Sequence, residues 1–338
     1  MKGKTQDPVA FVTAGDIGAV AKLQETLTSD TLCKQEEPVV FPTIEFPAPV
    51  YSVAVHPRTK GDEDKISSGL TRLTEEDPTI KVVRDAETSE TILYGLGEVH
   101  VDVTTGKLKR KFGVDVDLTS PKIPYRETIK GSAKAEGRHK KQTGGRGQFG
   151  HVWIEFEPVA DQDFEFVDKI FGGSVPRQFI PAVEKGLREA LPEGVLAGYP
   201  VVNLRAILYD GSFHPVDSSE MAFKLAASLA FKKGCAEAQP VILEPVMRLE
   251  VTVPEQYMGD IMGDLNKKRG RIQGMETKGN IQVIKATAPM AEIQRYSIDL
   301  RSMTQGRGLF TMEFDHYEEV PGNIAEAVIE EAKKRKEA

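Results

Sequence analysis

Two stretches of the chain repeat one succession of hydrophobic and polar positions. In the first, Tyr51, Val53 and Val55 alternate with Ser52, Ala54 and His56, the period of a half-buried strand. Ile66, Leu70 and Leu73 then line one side of a helix, and Ile80 to Val83 and Thr91 to Tyr94 are short strands around a polar turn. Val101, Leu108 and Phe112 mark a second helix, and Val114, Val116 and Leu118 alternate with Asp115 and Asp117. The order β-α-β-β-α-β predicts a ferredoxin-like unit. In the second stretch, Met247, Leu249, Val251 and Val253 alternate with Arg248, Glu250 and Thr252 until Pro254 closes the strand. Tyr257, Ile261 and Leu265 recur every four residues. Strands at Arg271–Met275 and Ile281–Ala286 flank a turn at Thr277-Lys278-Gly279-Asn280, a weak helical stretch runs from Pro289 to Leu300, and Leu309–Phe314 is the last strand. This predicts a second ferredoxin-like unit, with little sequence shared between the two.

The middle, about Ile123 to Gln239, differs. It predicts strands near Ala133–Lys141, Val152–Glu157 and Val201–Tyr209. One helix spans Pro176 to Ala190, kinked or restarted at Pro181. Another begins at Asp217, with Glu220 in capping-box position, and runs through Met221, Leu225 and Leu229 to Gly234. The first 35 residues, with Val9, Phe11, Val12, Ile17 and Val20, read as the β-rich end of a domain whose beginning is missing. Pro38, Pro42, Pro47 and Pro49 then make a stiff boundary or an edge strand. From Pro321 a terminal helix carries Ile324, Val328 and Ala332 as an apolar stripe that must dock elsewhere. Hinges are expected near Pro121–Pro124 and Gln239–Pro240. The fold class is α+β and multidomain.

The 338 residues suffice for two or three domains with cores of their own. A formal net charge of -7 argues against indiscriminate nucleic-acid binding while leaving room for local basic patches. Cys33 and Cys235 are too few for a disulfide framework or a zinc site, so a reducing, cytoplasmic setting is expected. Neither an export signal nor a run of 18 apolar residues occurs, so no membrane span is expected.

Catalytic chemistry is poorly represented. A P-loop needs Gly-x-x-x-x-Gly-Lys-Ser/Thr so that backbone N–H groups cradle phosphates, and no such run exists. Asp260-Ile261-Met262-Gly263 matches a short nucleotide-site pattern but lies inside an amphipathic helix. Glu98 and His100 resemble an acid/base pair, yet two positions apart on a helix they point in different directions. No metal motif occurs. An active site, a bound cofactor or a metal within this chain is therefore not expected.

Two loops carry recognition chemistry instead. Gln142-Thr143-Gly144-Gly145-Arg146-Gly147-Gln148-Phe149 offers backbone donors, one guanidinium and amides to a phosphate backbone or base edge. Lys134, Arg138, His139, Lys140 and Lys141 lead into it. An ordinary hairpin connection and a glycine-rich cofactor loop are the alternatives. Ser212-Phe213-His214-Pro215 joins a strand to the helix that follows. Phe213 and His214 suit stacking and hydrogen bonding to unpaired bases, against the alternative of a core phenylalanine and a turn histidine. Ser218 and Ser219 read as helix-start residues. Farther on, Lys267, Lys268, Arg269 and Arg271 and the loop with Arg301, Gln305 and Arg307 could form a basic patch, or a plain connection.

Taken in order, these segments resemble the bacterial translation elongation factor G family over nearly the whole chain. Ala14–Val20 and Thr28–Leu32 are similar to the end of its domain II, and Arg72-Leu73-Thr74-Glu75-Glu76-Asp77-Pro78-Thr79 to its domain III. Tyr125–Ile129, Gly144–Val152 and Val216–Lys224 are similar to domain IV, and Leu243–Met247 and Gly263–Gly270 to domain V. The resemblance implies residues 1–36 as a remnant of the domain II barrel and 37–120 as domain III. It implies 121–239 as domain IV with a ribosomal protein S5 domain 2-like α/β fold, flanked by the two ferredoxin-like units. Residues 240–320 would be domain V and 321–338 a helix packing on domain IV.

It further implies tip loops at Thr143–Phe149 and Ser212–Pro215 that contact tRNA and mRNA, with His214 at the family's tip histidine. Domains III and V would touch ribosomal RNA and proteins. The partners would be ribosome, tRNA and mRNA, the state monomeric, and GTP and Mg2+ would belong to a G domain of a longer factor. Gly95-Leu96-Gly97-Glu98-Val99-His100-Val101 departs from the family's Gly-Met-Gly-Glu-Leu-His-Leu, and Ser89 stands where a turn glycine is common. These departures suit a divergent paralogue rather than the main housekeeping factor, and a paralogue for ribosome recycling or rescue is the alternative function. A ribosomal protection factor fits less well, because its tip differs, and an acidic scaffold is the non-ribosomal alternative.

Overall fold

The computed structural model describes Thr5, residues 7–142, 147–160 and 162–337, with only the backbone of 336 and 337. The chain divides into two compact units, Met1–Asp85 with Glu90–Thr119, and Ala86–Ser89 with Ser120–Ala338.

In the first unit, residues 7–50 form neither helix nor strand, and nearly all are exposed, including Phe11, Ile17 and Val40. The strands expected around Val9–Val12 and Thr28–Leu32 are not formed. A strand needs a partner strand for its backbone, and these short apolar runs have none among the described residues. The ferredoxin-like order then appears as β1 (Tyr51–Pro57), α1 (Glu63–Glu76), β2 (Lys81–Arg84), β3 (Thr91–Gly95), α2 (Glu98–Phe112) and β4 (Val116–Thr119). The antiparallel sheet runs β2-β3-β1-β4. Val53, Val55 and Leu93 meet Ile66, Leu70, Leu73, Val101 and Leu108 in one core, as the period-two and period-four patterns require. Asp77, which follows α1, accepts hydrogen bonds from the Thr79 backbone and hydroxyl and from His100. Burial alone would raise its pKa, but these donors outweigh burial and hold it below the usual carboxylate range.

The second unit opens with β5 (Arg126–Ile129), β6 (Ala133–Lys141), β7 (Gln148–Pro158) and β8 (Phe164–Asp168). Helix α3 (Ile180–Ala190) follows a short 3₁₀ turn and has Pro181 in its first turn, so the proline starts the helix rather than kinking it. Next come β9 (Leu204–Ser212) and α4 (Glu220–Glu237). The sheet runs β6-β7-β9-β8, with β8 parallel to β9 and the other pairs antiparallel. Phe156, Leu187, Leu204, Leu208, Phe223 and Phe231 fill the core between sheet and helices. Helix α4 lies unusually close to the sheet. A Cβ on Gly137 would stand 2.0 Å from the Ala226 carbonyl oxygen, and one on Gly150 2.3 Å from that of Ala222. Glycines on the sheet and alanines on the helix let the two backbones approach.

The second ferredoxin-like order follows: β10 (Pro240–Pro254), α5 (Met258–Lys267), β11 (Arg271–Lys278), β12 (Ile281–Pro289), α6 (Met290–Ile293), α7 (Tyr296–Met303) and β13 (Leu309–Glu319). Its strand order β11-β12-β10-β13 matches that of the first unit. The expected hinge at Gln239–Pro240 is instead a fully paired crossing. Pro240–Leu243 pairs with Ile129–Arg126 of β5, while Leu243 onward pairs with β13 and Val246 onward with β12. The Lys130 and Gly131 N–H groups donate to the Gln239 and Ala238 carbonyls. One strand thus belongs to both halves of this unit. The last helix, α8 (Gly322–Glu337), buries Val328 and Ala332 with Tyr125, Ala197, Ile242 and Val320. Tyr125 packs on Tyr199 with ring centroids 5.3 Å apart. Burial, with the Glu244 carboxylate nearby, pushes its phenol up to about 12.

Glu127 on β5 is fully buried. Its carboxylate accepts N–H bonds from Val195, Leu196, Ala197, Gly198 and Tyr199 at 2.5–3.1 Å. A buried carboxylate without a cation is stable only where such donors replace water. A glutamine in its place would turn one acceptor into an N–H donor facing other N–H groups. The Glu127→Gln variant is therefore expected to lose about 2–5 kcal/mol of stability, measured by urea denaturation. An unchanged midpoint would show that the loop does not depend on the carboxylate.

Candidate nucleic-acid interface

Strands β6 and β7 remain paired as far as Lys141 and Gln148, and the His139 Nε2 lies 2.9 Å from Gln148 Oε1. Of the expected first loop, Thr143, Gly144, Gly145 and Arg146 lie outside the described residues, which include Gln142, Gly147, Gln148 and Phe149 on either side of them. Strand β9 leaves the sheet at the same end: His151 pairs with Ser212, and its Nδ1 is 2.7 Å from the Ser212 Oγ.

Residues 212–219 are then tied back onto the start of β7. The Phe149 N–H donates to the Asp217 carbonyl at 2.9 Å, and the Gly147 N–H to Asp217 Oδ1 at 3.1 Å. The buried Ser218 hydroxyl donates to the Phe149 carbonyl at 3.0 Å and accepts the His214 N–H at 2.9 Å. The Ser218 N–H closes the turn on the His214 carbonyl at 3.1 Å. Close seating of α4 at Ala222 against Gly150 carries this turn to the hairpin.

Phe213, His214, Pro215 and Val216 face solvent, whereas Ser212 is half-buried. Phe213 is 45% exposed, so it is not a core residue. Arg138, Lys140 and Lys141 on β6 are exposed and have no ion-pair partner among the described residues. Arg138 lies over the Phe149 ring, 6.0 Å from its centroid. The result is one end of a rigid α/β module with an aromatic ring, an imidazole and three cations in reach of solvent. That combination suits stacking and phosphate contact.

The start of α4 differs from the sequence expectation at Asp217 and at Ser218. Helix α4 begins at Glu220, and Ser219 is its N-cap, accepting the Ala222 N–H at 3.3 Å. Asp217 does not cap it, because its carboxylate is directed to Gly147. Ser218 is not a helix-start residue either; its hydroxyl joins the two loops. Nothing in local sequence distinguishes Ser218 from Ser219, because the partner of Ser218 is 69 positions away.

Within the expected basic patch, Lys268 and Arg269 are partly buried, whereas Lys267, Arg271, Arg301 and Arg307 are exposed. Arg269 grips the buried Glu244 carboxylate with two bonds at 2.6 and 2.8 Å and reaches Glu292 at 3.0 Å. It does so with φ 57, a left-handed backbone that costs a side-chain-bearing residue about 1–2 kcal/mol. The Lys268 ammonium lies 2.8 Å from Asp299, joining α5 to α7. Burial alone would lower its pKa, but Asp299 and Asp264 more than offset this and hold it above its usual range. Arg271 pairs with Glu318 at 2.6 Å, and Arg307 bonds the Tyr257 hydroxyl and lies 5.0 Å over its ring. Lys267, Arg301 and Gln305 are exposed. Three of the six cations, Lys268, Arg269 and Arg271, are thus paired with acidic side chains.

His100 is also structural. It accepts the Leu96 N–H at Nδ1 and faces Asp77 with Nε2, each at 3.1 Å, so it turns away from Glu98. Burial, with Glu127 nearby, pushes the Cys235 thiol well up, which removes it as a nucleophile. No group of three or more candidate metal ligands occurs among the described residues, and no helix there is long and apolar enough to cross a membrane.

Ser218→Ala is expected to cost about 1–2 kcal/mol and to speed hydrogen exchange of the His214 amide; unchanged protection would break the link between the loops. Arg269→Met leaves Glu244 buried and unpaired, so a loss of about 3–5 kcal/mol is expected in thermal unfolding. A neutral effect would return Arg269 to the set of free cations.

Three family models match consecutive segments: Elongation Factor G, domain III at 46–120, Elongation factor G, domain IV at 121–239, and Elongation factor G C-terminus at 241–328. A crystal structure of a protein from Thermus thermophilus is similar, with 46% sequence identity and a TM-score of 0.78 over 87% of this chain. The match covers 44% of that chain, so the present sequence corresponds to less than half of it. With these matches in the family's own order, and with both ferredoxin-like units and the intervening α/β module in place, the chain belongs to the elongation factor G family and corresponds to its domains III and IV and its C-terminal region.

Proposed function

We propose that this chain is the ribosome-binding portion of a translational GTPase that promotes movement of tRNA and mRNA during protein synthesis. The observation that supports this most directly is the tie between residues 147–149 and 212–218 at one end of the central module, with Phe213 and His214 exposed beside Arg138, Lys140 and Lys141. Contacts of this kind are tolerant of sequence, as any factor that follows successive codons requires. In this reading GTP and Mg2+ are held by a G domain outside these residues, and the chain itself transmits displacement. The shared strand β10 supports that role, because it joins the module bearing the loops to the C-terminal ferredoxin-like unit. Lys267, Arg301, Gln305 and Arg307 remain candidates for ribosomal RNA contact. The chain acts in the cytoplasm, as a monomer.

His214→Ala in the parent factor is expected to slow translocation about tenfold, the equivalent of about 1.4 kcal/mol. Stability of this chain should change by less than about 1 kcal/mol, as at other exposed positions. Stopped-flow translocation and thermal unfolding measure the two effects. Normal movement of tRNA by the variant would remove His214 from the mechanism.

A further inference from the structure

We propose that His214 meets its ligand as a hydrogen-bond donor through Nε2–H, and that Asp217 is the positioning residue that sets this. The inference rests on the translocation reading above and specifies its chemistry.

The ring nitrogens have unlike surroundings. Nδ1 accepts the Asp217 N–H at 3.2 Å and lies 3.4 Å from the Val216 N–H. The Asp217 Oδ2 is also near, at 3.4 Å. An N–H to nitrogen contact at 3.2 Å lies at the edge of the normal hydrogen-bond range, whereas 3.4 Å lies outside it. Nδ1 is therefore the acceptor, and the ring proton sits on Nε2. Nε2 has no partner among the described residues, and the side chain is 52% exposed. The ring consequently presents a donor to solvent.

Asp217 governs this arrangement from two sides. Its backbone N–H holds Nδ1, and its carboxylate holds the Gly147 N–H of the hairpin at 3.1 Å. Its own carbonyl accepts from Phe149. One residue thus registers the imidazole against the neighbouring strand. A donor at this place suits an oxygen acceptor of a nucleic-acid backbone, a phosphate or a ribose hydroxyl, because these recur at every nucleotide whereas base acceptors change with sequence.

Nitrogen-15 NMR of this chain with labelled histidine tests the positioning without any ribosome. Nδ1 is expected to give an acceptor-type signal and Nε2 a proton-bearing one. The reverse assignment would overturn the proposal. Asp217→Ala keeps the backbone N–H that holds Nδ1 but removes the carboxylate that anchors residue 217 to Gly147. The Gly147 amide should then exchange faster and, with that N–H less firmly placed, His214 should sample both tautomers, more mildly in Asp217→Asn. Unchanged tautomer and exchange in both variants would remove Asp217 from its role.

In the parent factor, His214→Gln keeps a donor near Nε2, and His214→Phe keeps only the ring. Translocation should be nearly normal with Gln and should fall about tenfold with Phe. Phe outperforming Gln would make the contact a stacking one and overturn the donor. With wild-type factor, 2′-deoxy substitution in the tRNA–mRNA duplex should slow movement if the acceptor is ribose, and methylphosphonate substitution if it is phosphate. Insensitivity to both would also overturn it.

Discussion

The buried carboxylate of Glu127 is the interaction on which most of the second unit depends. Five consecutive N–H groups converge on it, so residues 195–199 are wound around an anion rather than around a hydrophobic core. That winding presents Tyr199 to Tyr125 and Ala197 to the last helix. The backbone of Glu127 continues the same work. Its N–H donates to the Pro200 carbonyl and its own carbonyl accepts from Val202, while β5 pairs with β10. One side chain and its peptide groups thus connect a loop, two strands and a helix. Burying the charge is costly in isolation, and the donors make the cost specific to this one arrangement.

The tip of the central module inherits its order from a different source, the close approach of α4 to the sheet. Backbone contact at Gly137 and Gly150 leaves the helix little freedom to slide. Its first turn is therefore placed against β7, and Asp217 and Ser218 need only short bonds to join the loops. The exposed groups are carried by residues whose own backbone is held, a condition for reproducible contact with a partner. Asp217 shows how this divides labour: its carboxylate is satisfied internally so that the imidazole beside it can face outward.

Much of the fold was legible in the residue pattern. Alternation at Tyr51–Val55 and Met247–Val253 and the four-residue spacing at Tyr257–Leu265 report local geometry directly, and both ferredoxin-like orders follow from them. Strands β5 and β8 were not read as strands. Glu127 breaks the apolar signal of β5 because its burial is compensated by distant amides, and β8 lies half-buried at a sheet edge. The Phe213–His214 turn could be recognised as candidate chemistry, but Ser218 could not, since its role exists only after β7 arrives. The basic run at Lys267–Arg271 conceals its ion pairs for a related reason. A sequence shows the cations together and their acidic partners, Glu244, Asp299 and Glu318, far away.

The unbroken course of β10 has a mechanical consequence. A strand loaded along its length puts its ladder of hydrogen bonds under shear together, whereas a strand peeled sideways gives them up one at a time. Because β10 is bonded to β5 at one end and to β12 and β13 along the rest, a push directed along it is carried as through a stiff rod. Compliance must then come from bending across the strand, and thrust delivered at one end would reach the other with little loss.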